Sequence, residues 1–276
     1  MWEEIDKKQN EEEMLQLQYY ARKLYDTSNI IFVIKMTVLM INAILAIINI
    51  NAIIVTILSI IYLVLECIEE KCIKNAANAR EIFDAILFDF NIPKCYKKIK
   101  ENAKKISILN KREFTIQKNN TGEDKPAGVK NWYTKNNGVT KNEIIFNCQV
   151  ENTRWDEKVT KINSIIFWSI IVIMFIIYII VKHNDSVENF IFGGLLAFEM
   201  VIQLVKIAIE YEKYNKNLIE RNFEIQRIQN KKIKIKKDDL ILLQELIIER
   251  RNLKLVPFNN IHKYITIKMH KLIKDK

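Results

Sequence analysis

Glycine and proline are nearly missing from this chain, with 5 Gly and 3 Pro in 276 residues. Both punctuate turns and loops, so a loop-rich α/β fold is excluded and long uninterrupted elements are expected. Histidine is scarcer, limited to His183, His262 and His270, and the four cysteines (Cys67, Cys72, Cys95, Cys148) form no C-x-x-C pair. Zinc-site spacing is therefore lacking, no metal is assigned, and the thiols read as reduced. G-x-G-x-x-G, a phosphate-binding Gly-Lys loop, H-E-x-x-H and G-x-S-x-G are all absent. No catalytic residue and no cofactor follow from the sequence, and the chain is not expected to be an enzyme.

What is present is isoleucine, 51 residues of it, and a charge of +10 from 43 Lys+Arg against 33 Asp+Glu. Mean hydropathy is near zero, at −0.05, yet the apolar residues are not spread evenly. From Ile30 to Leu65 a single charge occurs, Lys35, and from Ile165 to Val181 there is none. A crossing helix needs about 20 apolar residues, so the first block has the length of two crossings. Asn49-Ile50-Asn51 marks the turn between them. The second block resumes after Lys182 to Glu188 as Asn189 to Ile209, which carries only Glu199 and Lys206. The expected fold is an all-α membrane protein with two helical hairpins, four crossings in all, at 30–65 and 164–209. A mainly α cytoplasmic domain would be formed by residues 1–29, 66–163 and 210–276.

Orientation follows the Lys/Arg bias of short flanking segments. The two hairpin turns hold one base, Lys182, whereas 66–163 holds 19 bases against 14 acids and the segment from 210 holds 17 against 9. Both segments are placed in the cytoplasm, and four crossings bring the N-terminus to the same side. The acidic leader does not resemble a signal peptide. Within 66–163 a helix is expected from Glu66 to Phe90 and another over the basic stretch Lys94 to Arg112. Irregular loop is expected over Lys118 to Lys141, and then a helix from Asn142 into the membrane. Beyond 209 the last crossing is expected to continue to about Lys237, followed by a helix from Leu240 to Asn252 and a break at Pro257.

Two polar stripes interrupt the apolar helices. Glu199, Gln203 and Lys206 share one face of the fourth crossing, and Lys35, Asn42 and Asn49 repeat every seven residues on the first. A carboxylate near mid-bilayer is costly and marks a functional candidate. Packing is the alternative: Lys35 and Lys206 can pair with Glu66 or Glu210, and Asn42 can bond a neighbouring helix. Helices about 10 Å across fill the centre of a four-helix bundle, so a conducting path would need a homo-oligomer. The basic run Lys231 to Lys237 suits anionic lipid head groups. No DNA or RNA polymer is expected as partner.

In and beside the glycine-containing loop, Asn131, Trp132, Tyr133, Arg154 and Trp155 offer aromatic faces and a guanidinium, the equipment for stacking a base and pairing a phosphate. The alternative is that Trp132 and Trp155 are core or interfacial anchors. Here the sequence also carries a family resemblance. Asn131-Trp132-Tyr133 precedes Cys148-Gln149-Val150-Glu151-Asn152-Thr153-Arg154-Trp155-Asp156. Lys8-Gln9-Asn10 and Ala21-Arg22-Lys23-Leu24-Tyr25 lie before the first hairpin, with Ala76-Ala77 and Glu81-Ile82-Phe83-Asp84 after it. Leu243-Gln244-Glu245, Arg250 and Val256-Pro257 follow the second. In this order the motifs resemble the SMODS-associated four-transmembrane effectors of CBASS-type bacterial antiphage defence. Val150 and Val159-Thr160 depart from the family pattern, which has a base and a Leu-Arg pair there. The resemblance implies a multi-pass inner-membrane effector of abortive infection, which would bind a cyclic oligonucleotide and form pores in its own cell's membrane. A channel or transporter for a small solute, or a non-conducting signalling scaffold, are the competing readings. Two inverted repeats with broken helices, the mark of many transporters, are missing.

Overall fold

The computed structural model describes residues 1–47, 52–183, 186–187, 198–230 and 234–253. Side chains at 46–47, 52, 155–167, 170–171, 174–175, 177–178, 181–182 and 198–201 fall outside that description. Regular structure among the described residues is helical: α1 (Trp2–Gln9), α2 (Glu12–Ile47), α3 (Ala52–Phe88), α4 (Tyr96–Leu109), α5 (Lys111–Asn119), α6 (Lys141–Lys182), α7 (Phe198–Asn230) and α8 (Lys237–Asn252). The all-α expectation holds. Asn49 to Asn51, Gly193-Gly194 and Pro257 lie outside the described residues, as do Asn184, Asp185 and Glu188 of the second turn.

The long helices ignore the boundaries drawn at 29/30 and 65/66. Neither α2 nor α3 contains Gly or Pro over 36 and 37 residues, so nothing in either sequence stops helix propagation between polar and apolar halves. The basic stretch expected as one helix is two. Asn110 breaks it with φ −111° and ψ 40°, and its side-chain amide donates to the Ile106 carbonyl at 3.1 Å, the local competition with backbone that Asn brings. The helix α6 starts one residue before the expected position, on a capping box. Thr140 Oγ accepts the Glu143 N–H at 3.3 Å, and the Glu143 carboxylate accepts the Thr140 N–H at 3.2 Å. Asp89, at φ 58°, ends α3 and its carboxylate holds Lys8 of α1 at 3.0 Å and Lys141 of α6. Both lysines depress its pKa.

Two regions result. In the head, buried side chains from both ends of the chain share one core. It contains Met14, Leu17 and Tyr20 of α2, Ile82, Phe83 and Phe88 of α3, Ile99 of α4, Ile144 and Cys148 of α6, Ile225 and Ile228 of α7, and Leu240 and Leu243 of α8. Each fully buried side chain of this size stabilises the fold by about 1.5–3 kcal/mol. In the stem, Leu39 and Ala43 of α2, Tyr62 of α3 and Leu204 of α7 form a small cluster. Large apolar side chains there point outward: Val33, Ile41 and Ile44 on α2, Ile57, Ile60 and Val64 on α3, Val172, Ile176 and Ile180 on α6, Val205 and Ile209 on α7. Among the described residues one helix, Glu12–Leu45, is long and apolar enough to cross a membrane. Only 33% of its most apolar window is buried, whereas the core helix of a water-soluble protein would be mostly buried. Exposed apolar area on this scale marks contact with lipid or protein.

Candidate functional site

The loop between α5 and α6 is held down by hydrogen bonds from distant elements. Gly128 N–H donates to the Thr121 carbonyl at 2.6 Å and Lys130 N–H to the Asn120 carbonyl at 3.0 Å. The backbones approach so closely that a Cβ on Gly128 would lie 1.7 Å from the Asn120 carbonyl oxygen, which is why only glycine fits. From α2, Arg22 Nη1 donates to the carbonyls of Ala127 and Gly128, both at 2.8 Å.

The α1–α2 junction grips the next three residues. Asn131 adopts φ 53°, a left-handed conformation that Asn tolerates. Its N–H donates to Asn10 Oδ1 at 3.0 Å, while Asn10 Nδ2 donates to its side-chain oxygen at 2.8 Å. Gln9 repeats the device on Tyr133, accepting its N–H at 3.0 Å and donating to its carbonyl at 3.3 Å. Trp132 and Tyr133, neighbours in sequence, thereby take different environments. The Tyr133 ring packs on Phe83 and Phe88, with centroids 6.3 and 5.6 Å away. Its hydroxyl donates to Asp84 Oδ1 at 2.8 Å. Burial first, and the Asp84 charge next, push this phenol well above its usual range, so it stays protonated. Trp132 is only partly buried, and the Arg80 guanidinium of α3 lies over its ring at 4.5 Å and over that of Tyr25 at 5.1 Å.

Beneath Tyr133 lies a buried polar network. Asp84 accepts from Arg251 Nη1 at 2.7 Å and from Gln244 Nε2 at 2.9 Å. Gln149 Nε2 bonds Gln244 Oε1 at 3.0 Å, and Asn152 Nδ2 bonds the Tyr133 hydroxyl at 2.8 Å. One network thus ties α3, α6, α8 and the loop together. Of the five ligand candidates, Asn131, Trp132 and Tyr133 are brought into this region. Arg154 is exposed on α6, and the Trp155 side chain falls outside the description. Tyr25 and Asp84 had been noticed only within the family-like motifs, and Arg80 and Arg251 escaped the sequence reading.

A second polar site lies in the stem. Lys35, 7% exposed, forms an ion pair with Glu69, 4% exposed, and its Nζ lies 5.6 Å from the Phe32 and Tyr62 ring centroids. The sequence had offered Glu66 or Glu210 as partners; Glu69, on the Glu66 face one turn further along α3, has the reach. The pair borders a cavity of about 220 Å³ whose lining includes Glu66, Glu70, Gln203, Lys206, Glu210 and Lys213. Polar-stripe residues Lys35, Gln203 and Lys206, from two helices distant in sequence, therefore meet at one space. Asn42 is buried and donates to Ser59 Oγ at 2.9 Å, an interhelical bond of the packing kind. Asn49 and the Glu199 side chain fall outside the description.

No curated protein and no solved structure showed a significant match to the chain. The model of the SMODS-associating 4TM effector domain matches residues 3–257. That span takes in every described helix except the first residue of α1, the clamp on Asn131 to Tyr133, the Asp84 network and the charged cavity. The chain is therefore a membrane protein that belongs to the SMODS-associating 4TM effector family.

Proposed function

We propose that this chain is a pore-forming effector of bacterial antiphage abortive infection. A cyclic oligonucleotide binds the helical head on the cytoplasmic side, chains assemble, and the inner membrane becomes permeable. The observation that carries this reading is the coexistence, on the stem helices, of outward isoleucines and a cavity of about 220 Å³ lined by charges of both signs. Outward apolar faces suit lipid, and a charged cavity among them suits a path that water enters. Family membership supports the effector role. Loop residues Asn131 to Tyr133, with Arg154 and Trp155 on α6, are the proposed ligand-binding region. Lys35, Asn42, Asn49, Glu199, Gln203 and Lys206 are proposed to face the path once several chains assemble. Lys234, Lys236 and Lys237 are exposed and supply positive charge for anionic lipid.

In liposomes loaded with a fluorescent dye, the purified protein should be tight alone. It should release dye on addition of at least one member of a panel of cyclic di- and trinucleotides. Equal release with and without every member of the panel would refute activation by such a ligand. Topology is checked separately. A cysteine introduced at Lys130 should resist membrane-impermeant maleimide in intact cells and react after lysis; reaction from outside would invert the proposed orientation.

A further inference from the structure

The clearest unbalanced charge in the head is Arg80. Its guanidinium lies against the rings of Trp132 and Tyr25, contacts that use its π surface and satisfy none of its five N–H donors. No described residue accepts a hydrogen bond from it, and its Nε is buried without a partner. Burial first pushes its pKa down to about 10; the Tyr25 phenol acts the other way, and Arg251, Arg250 and Arg22 add to the lowering, so it remains a cation at neutral pH. Two of those neighbours are already committed: Arg251 to Asp84 and Arg22 to the loop carbonyls. Arg80 is partly exposed, and Nε is the one of its nitrogens that is buried without a partner, so its terminal N–H edge is open to an anion from solution. A bound anion would offset the positive charge gathered here by Arg80, Arg22, Arg250 and Arg251.

We propose that Arg80 anchors a phosphate-binding site in which its free N–H edge takes a phosphodiester oxygen pair of a soluble nucleotide, with Trp132 and Tyr25 fixing the guanidinium plane. This deepens, and rests on, the reading of the head as the ligand-binding part. The planar fork of an arginine matches two phosphate oxygens in a way a lysine does not. Four segments far apart in sequence meet here: Arg22 and Tyr25 of α2, Arg80 of α3, Trp132 of the loop, and Arg250 and Arg251 of α8. An anion at this point would join them. A lipid phosphate is the other source of the same chemistry. Arg80 stands 15 residues past Leu65, about 22 Å along the helix axis, which is too far from the apolar block for a head group to reach easily.

The test uses the full chain in detergent, titrated by calorimetry with inorganic pyrophosphate and with a panel of cyclic dinucleotides. Wild type should bind pyrophosphate and at least one dinucleotide. Arg80→Gln should lose at least tenfold in affinity for both, and Arg112→Gln, on the exposed surface of α5, should lose none. Where Arg80→Gln does not fold, Arg80→Lys decides, since it keeps the charge and should still weaken binding tenfold. Unchanged affinity in the Arg80 variant overturns the proposal, as does displacement of pyrophosphate by phosphatidylglycerol vesicles but by no soluble phosphodiester. Equal nucleotide-triggered dye release by wild type and Arg80→Gln would remove Arg80 while sparing activation by nucleotide. Arg80-dependent pyrophosphate binding without dye release from wild type by any nucleotide would do the reverse.

Discussion

Asp84→Ala should cost the head about 3–5 kcal/mol, the range for removing one partner of a buried ion pair. Asp84 is 1% exposed and Arg251 4%, so the stranded guanidinium could not recover water, and the Gln244 amide and Tyr133 hydroxyl would lose their acceptor in the same step. Domains are stable by about 5–15 kcal/mol in total, so the variant should be largely unfolded at temperatures where wild type is intact. Circular dichroism during thermal and urea unfolding measures this. Removing both charges, as in Asp84→Leu with Arg251→Met, should recover more than half of the loss, because neither ion then remains buried. A single variant as stable as wild type would show that the network does not hold the head together.

Glu69→Gln should give a stem that leaks without ligand. The substitution leaves Lys35 buried against Phe32 and Tyr62 without its ion-pair partner, at a cost of up to roughly 3 kcal/mol at membrane depth. The lysine is relieved by water entering the adjacent cavity or by the helices separating, and either raises basal permeability. Dye release from liposomes in the absence of nucleotide is the measurement. Lys35→Met with Glu69→Leu removes both charges and should be tight again. A Glu69→Gln protein as tight and as abundant as wild type would exclude the pair from the closed state.

The helices were legible because the evidence of continuity is local. Runs without Gly or Pro, and apolar blocks of spanning length, need no knowledge of the rest of the chain. The break at Asn110 was missed because an Asn in a basic amphipathic stretch is compatible with helix until its amide turns back onto the Ile106 carbonyl. The loop site was half legible. Trp132 and Tyr133 read alike in sequence, and only the left-handed Asn131, gripped by Asn10, sends one to the core and the other to Arg80. Gln9 and Asn10 had been noticed as a motif, yet their role needed 121 to 124 residues of intervening chain to be folded. Arg80 carries no local signal, being one charge on a helix; its meaning comes from Arg22, Arg250, Arg251 and two aromatic rings brought together by tertiary packing. For Lys35 the helical period pointed to the correct face of α3, and depth along that face selected Glu69 over Glu66.

The unbroken length of α2 and α3 determines how news from the head would arrive in the bilayer. A helix of 36 residues is about 54 Å long and, with no Gly or Pro in it, has no ready place to kink. Such a rod turns about a fulcrum. A tilt of about 5° at one end, no more than the closing of a few side-chain contacts around Arg80, displaces the other by about 5 Å over that length. The small cluster of Leu39, Ala43, Tyr62 and Leu204 packs α2 and α3 against α7 in the stem. A rod of this kind transmits torque without a second conformation inside itself, so under the proposed activation head and stem would switch in one stroke.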